Sequence, residues 1–175
     1  MFKKSTFLII YFVIAILIGL GIRTYVLSAR FVEGDSMSPT IHEGDLVLVN
    51  MWSKNFELGN IVIFKTANTK MILIKRIVAN PNSAIFIENF KLYRNKILVP
   101  EDLQYTLSWD KDAFECRFSN IQKSAANEFL VLGDNRCYSA DSRVFGGVPT
   151  KNILGKVLIN LKLSSLKRAI WSFLK

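Results

Sequence analysis

Lys3-Lys4 is followed by an uncharged stretch from Ser5 to Ile22 that ends at Arg23, and this stretch limits the chain's options most. As a helix it covers about 27 Å at ~1.5 Å per residue, close to the ~30 Å hydrocarbon core of a bilayer. Continuation to Ala29, with Arg23 snorkelling, would complete a span. A cleaved leader is the rival reading, but its apolar region should be shorter. Val26-Leu27-Ser28-Ala29 is also a poor cleavage site, because Leu27 stands where a small residue is needed. The two lysines ahead of the stretch favour a cytoplasmic N-terminus, and Arg23 and Arg30 beyond it reduce the asymmetry. The expectation is one N-terminal transmembrane helix within residues 1–30, with the rest of the chain outside a cytoplasmic membrane.

The remainder of the 175 residues suffices for one compact domain. A net charge of +9 raises nucleic-acid binding. The basic residues are scattered, however, so an anionic membrane surface accounts for the charge better and no nucleic-acid partner is expected. With two cysteines and the single His42, no Cys/His metal site can be assembled, and neither metal nor cofactor is expected. His42 reads as a loop residue.

From Phe31 the pattern turns to short apolar runs broken by Gly, Asn, Pro and Asp. Leu46 to Val49, Ile61 to Phe64, Met71 to Val78, Ala84 to Glu88, Phe129 to Leu132 and Lys156 to Leu161 read as strands. Glu57-Leu58-Gly59-Asn60 and Asn80-Pro81-Asn82-Ser83 read as turns. Glu101 to Asn127 has no legible pattern. Residues 31–162 are thus expected to form a mainly β, antiparallel domain. Residues 163–175 return to helical spacing, with Leu163, Leu166, Ile170 and Phe173 on one face. Lys162, Lys167, Arg168 and Lys175 are available to anionic lipid, and Trp171 suits the headgroup zone: an amphipathic interfacial helix. Met51-Trp52 and Phe56 are expected to add a second apolar contact with the membrane.

Three segments bear on chemistry. In Gly34-Asp35-Ser36-Met37-Ser38-Pro39-Thr40, followed by Gly44-Asp45-Leu46-Val47-Leu48-Val49, a serine can sit exposed on a turn ahead of a strand. In Met71-Ile72-Leu73-Ile74-Lys75-Arg76-Ile77-Val78, alternation puts Lys75 on one face with Leu73 and Ile77. Burying an ammonium among apolar neighbours is costly, so such a lysine tends to lose its proton and can then accept one from a hydroxyl. Arg76, on the opposite face, reads as structural. The third segment runs Leu130-Val131-Leu132-Gly133-Asp134-Asn135-Arg136-Cys137-Tyr138-Ser139-Ala140-Asp141-Ser142-Arg143, a strand emptying into a polar loop. Taken singly, each has a plain alternative: a turn serine, an edge lysine reaching water, a polar loop.

Taken in order, behind an N-terminal helix, these segments resemble the boxes of type I signal peptidases. Those are membrane-bound Ser/Lys peptidases that remove signal peptides from exported proteins. The resemblance covers most of the chain apart from about Glu101 to Asn127. It implies Ser36 as nucleophile, Lys75 as general base and Ser139 as the hydroxyl that orients the lysine amine. Asp134, Asp141 and Arg143 would support the site, the last two as an ion pair shaping the loop. The oxyanion would be held by the Ser36 N–H, helped in many relatives by a hydroxyl two positions earlier. Here that position is Gly34, so a second donor must be backbone or solvent. Asn80-Pro81-Asn82 replaces the Pro-Gly-Asp common among relatives, a difference confined to a turn.

Shallow pockets for small side chains would be lined by Val32, Met37, Ile41, Leu73 and Ile74, with the peptide paired along Glu33 to Asp35 and Ile72 to Ile74. The implied partners are precursor proteins with signal peptides, and membrane lipids. A specialised prepilin or conjugation-associated maturation peptidase with the same dyad fits the sequence too. A tethered β domain that binds without catalysing is the reading of another class. Outside the membrane two cysteines can persist as a disulfide, and a Cys116–Cys137 bridge is favoured over two separate thiols.

Overall fold

The structure is a computed structural model, and it describes residues 2–66, 71–100 and 120–163. Helix α1, Phe2–Tyr25, opens the chain. Every side chain described along it from 7 to 19 is exposed. Among the described residues, no helix is long and apolar enough to cross a membrane. The 7–19 stretch alone would cover about 20 Å of a ~30 Å hydrocarbon core.

The β domain begins earlier than the change in composition suggests. Strand β1, Leu27–Phe31, already pairs antiparallel with β2, Leu46–Asn50, so α1 stops before Ala29. Then come β3, Ile61–Lys65, and β4, Ile72–Ala79, a hairpin rich in β-branched residues. A satellite sheet follows, with β5, Ala84–Glu88, β6, Lys91–Arg94, β7, Ile97–Leu98, and β8, Gln122–Lys123. The chain returns in β9, Glu128–Leu132, crosses a loop holding the short helix α2, Ser142–Phe145, and adds β10, Val148–Pro149. The last strand among the described residues is β11, Ile153–Leu161.

The larger sheet runs β1-β2-β11-β3-β4-β9-β10 and the smaller one β7-β6-β5-β8. The last strand therefore lies in the middle, between β2 and β3. Gly155 is required there, because a methyl at that position would collide with the Asn50 carbonyl.

Alternation explains which residues go inside. In β2, Val47 and Val49 are buried and join Val32, Met37, Ile41 and Ile63 in one cluster. On the other face of the sheet, Val62, Phe64, Ile77, Phe129 and Val131 form a second cluster. A third, with Val78, Ile85, Ile87, Leu92 and Leu132, ties the satellite sheet to β4 and β9.

Phe56 corrects an expectation. It is only 7% exposed and meets Phe129 edge-on, with ring centroids 6.2 Å apart, so it belongs to the core and offers nothing to a membrane. Trp52 beside it is 72% exposed. The expected amphipathic helix at 163–175 lies, apart from Leu163, outside the described residues. So does most of the segment from Glu101 to Asn127.

Candidate active site

The fold brings Ser36, from the loop between β1 and β2, against Lys75 of β4. The lysine Nζ donates to the serine Oγ at 2.6 Å and to the Ile74 carbonyl at 3.0 Å. Lys75 is 3% exposed. Burial lowers its pKa from 10.5 to about 8, against the opposing pull of Asp141 and Asp134. A sizeable share of the amine is therefore neutral near pH 8, and a neutral amine can take a hydroxyl proton.

The serine loop is fixed by its own backbone. Ser38 N–H donates to the Asp35 carbonyl at 3.0 Å and Ile41 N–H to the Met37 carbonyl at 3.0 Å. Gly34 takes a φ of +77°, which a side chain would resist. Among the described residues no acceptor takes the Ser36 N–H. It stays available to a ligand.

The loop after β9 wraps the other side. Asn135 N–H donates to the Ser36 carbonyl at 3.1 Å, and its side-chain amide donates to the Asp35 carbonyl at 3.2 Å. Gly133 is the point of closest approach: a methyl there would collide with Ser139 Oγ and the Ser36 carbonyl. Ser139 is thus brought beside the serine backbone. Its Oγ is buried without a hydrogen-bond partner, so it makes no hydrogen bond to Lys75.

Two ion pairs hold this loop. Asp141 grips Arg143 through both oxygens, at 2.8 Å each. It also caps α2 by accepting from Arg143 N–H and takes the Gly133 N–H at 3.1 Å. Arg143 in turn donates to the Arg136 carbonyl at 2.6 Å. Asp134 binds Arg76 in the bidentate manner, at 2.8 and 2.6 Å, and Arg76 also reaches the Gly59 carbonyl at 2.8 Å. Alternation alone gives Arg76 only a general structural place. Arg136 is buried as well. Burial lowers its pKa to about 10, Asp134 and Asp141 pulling the other way, and it stays charged at neutral pH.

A cleft of about 480 Å³ opens on Ser36 and Lys75. Of the residues expected to contact substrate, Val32, Leu73 and Ile74 line this cleft, whereas Met37 and Ile41 belong to the core beside the serine loop. Val47, Ile63 and the backbone stretch Ala29 to Phe31 also line it. The sequence reading missed these, because only the pairing of β1 with β2 and β3 with β4 puts them on one wall. Cys137 is disulfide-bonded, and Cys116, the other cysteine of the sequence, lies outside the described residues.

Comparison with known proteins assigns the chain to a family. The family model described as "Signal peptidase, peptidase S26" matches residues 5–161. Signal peptidase I V of Bacillus subtilis is 33% identical over 164 residues, covering 88% of this chain and 97% of that protein. Signal peptidase I S of the same organism is 34% identical over 148 residues, covering 79% and 78%. A Staphylococcus aureus protein named "Inactive signal peptidase IA" is 30% identical over 161 residues, covering 89% and 90%. With the match running from α1 to the end of β11, the chain belongs to the signal peptidase, peptidase S26, family.

Proposed function

We propose that this protein is an active endopeptidase that removes signal peptides from exported precursors by acyl transfer to Ser36, with Lys75 as general base. Family membership alone does not carry activity, since one relative bears the name of an inactive enzyme. The observation that carries it is the 2.6 Å contact between Ser36 Oγ and a buried lysine amine. In the first step the neutral amine takes the hydroxyl proton as Oγ attacks the scissile carbonyl. The vacant Ser36 N–H supports the developing oxyanion, with the neighbouring Gly34 leaving room for solvent. Lys75 then returns the proton to the leaving amine, and the ester is hydrolysed by water activated in the same way. Ser139 is assigned as the positioning residue in this reading by the family resemblance, and its buried hydroxyl, which makes no hydrogen bond here, would have to turn to the Lys75 amine to play that part.

The anchor belongs to the same proposal. Ser5 to Ile22 carries no charge, and the side chains of α1 described from 7 to 19 are apolar on all sides and exposed. Lipid satisfies such a surface and water does not. With Lys3 and Lys4 on the cytoplasmic side, the β domain works at the outer face of the cytoplasmic membrane.

The test uses full-length protein in detergent with several exported precursors, reading the cut sites by mass. Cleavage after the leader segments is expected. Ser36→Ala and Lys75→Ala should each lower the rate by about a thousandfold or more with the fold intact, and His42→Ala should not. A Lys75→Ala protein that retains most of its rate would end the dyad mechanism. Cleavage of one pilin-like precursor and no other would move the reading to a specialised maturation enzyme.

A further inference from the structure

Strand β4 has a hollow on each of its faces. Ile63 pairs with Ile74 and Phe64 with Leu73 in the β3–β4 ladder, and cross-strand partners share a face. Ile63 and Ile74 line the cleft that holds Ser36. Phe64 and Leu73, with Phe145, Val148 and Pro149, line a second, mainly apolar cavity of about 300 Å³. Leu73 borders both hollows, so they meet around the strand.

The strand edge between them is open. Pairing of β4 with β9 starts at Arg76, and among the described residues no strand pairs with Ile72 to Lys75 on that side. An extended peptide can dock there as an added strand, and its successive side chains then point to opposite faces. If the residue bearing the cleaved carbonyl and the residue two before it face the Ser36 cleft, the residue between them faces the second cavity.

We propose that this cavity is a specificity pocket for the side chain immediately preceding the residue whose carbonyl is cut, and that it selects large apolar side chains. This rests on the peptidase reading above. The lining sets the preference: two phenylalanines, a leucine, a methionine, a valine and a proline make most of the wall, Lys65, Thr66 and Asn152 supply its polar part, and the volume exceeds that of one aliphatic side chain. The enzyme therefore reads both faces of its substrate strand.

The experiment uses the full chain in detergent and peptides identical except for Ala, Leu, Phe or Asp at that position. kcat/KM for Leu and Phe should exceed that for Ala by about tenfold or more, and should exceed that for Asp as well. Phe145→Ala, which removes a wall, and Asn152→Trp, which fills the cavity from its rim, should each bring the Leu-to-Ala ratio towards one. Equal rates for the four peptides, with cleavage intact, overturn the pocket and leave the peptidase standing. So does a preference that appears instead at the first residue after the bond. Absence of cleavage of every peptide and precursor overturns the peptidase reading and the pocket with it.

Discussion

Lys75 costs the fold something at neutral pH. Its pKa falls from 10.5 to about 8 chiefly through burial, so between those values the unfolded chain holds more protons than the folded one. Stability must therefore rise with pH across that window, and below it the buried charge costs about 3 kcal/mol. Lys75→Met is expected to raise the denaturation midpoint at pH 7, with the gain shrinking as pH climbs through 8 towards 10.5. Activity should run in step, low in acid and rising through about pH 8 as the amine loses its proton; a flat profile from pH 5 to 9 would exclude a neutral lysine base. Lys75 was legible in the sequence because a cation on an apolar strand face conflicts with its surroundings. Gly133 and Asn135 were not. Their importance comes from meeting a loop about 100 positions away, and no local pattern encodes that encounter.

Among the elements, most strands with β-branched residues could be read within a residue or two, although β11 starts three residues before Lys156. Leu46–Asn50 and Ala84–Glu88 show the buried alternation directly. Leu27–Phe31, Lys91–Arg94 and Gln122–Lys123 could not, since their side chains are mixed and pairing alone makes them strands. The loop after β9 resembled a polar connection, yet it is welded to β4 through Arg76 and Asp134, at 2.6 Å and with the carboxylate fully buried. Asp134→Ala would strip the guanidinium of the acceptor for two of its N–H groups. A loss of about 3–5 kcal/mol is expected in chemical denaturation. Activity should drop as well, because this loop carries Ser139 and the Asn135 contacts to the serine loop. Stability within about 0.5 kcal/mol of the parent would show the pair to be dispensable.

At the scale of the molecule, β1 starts two residues after α1 ends, and the serine loop follows directly, so the proposed anchor holds the site close to the membrane surface. Removing residues 1–25 should leave hydrolysis of a short soluble peptide near the full-length rate. Processing of a precursor embedded in vesicles should fall about tenfold or more, because enzyme and bond no longer share a surface. Equal losses on both substrates would mean that α1 supports the fold and not the encounter. The sheet order has a consequence for the timing of synthesis. Ser36 lies beyond one side of β11 and Lys75 beyond the other, and β11 is synthesised after both of its partners and after every other strand among the described residues. Until it slides between β2 and β3, the two halves of the sheet have no shared ladder, and such distant pairing forms late. On the proposed peptidase reading, a half-made copy has Ser36 and Lys75 on separate halves of the sheet and cuts nothing.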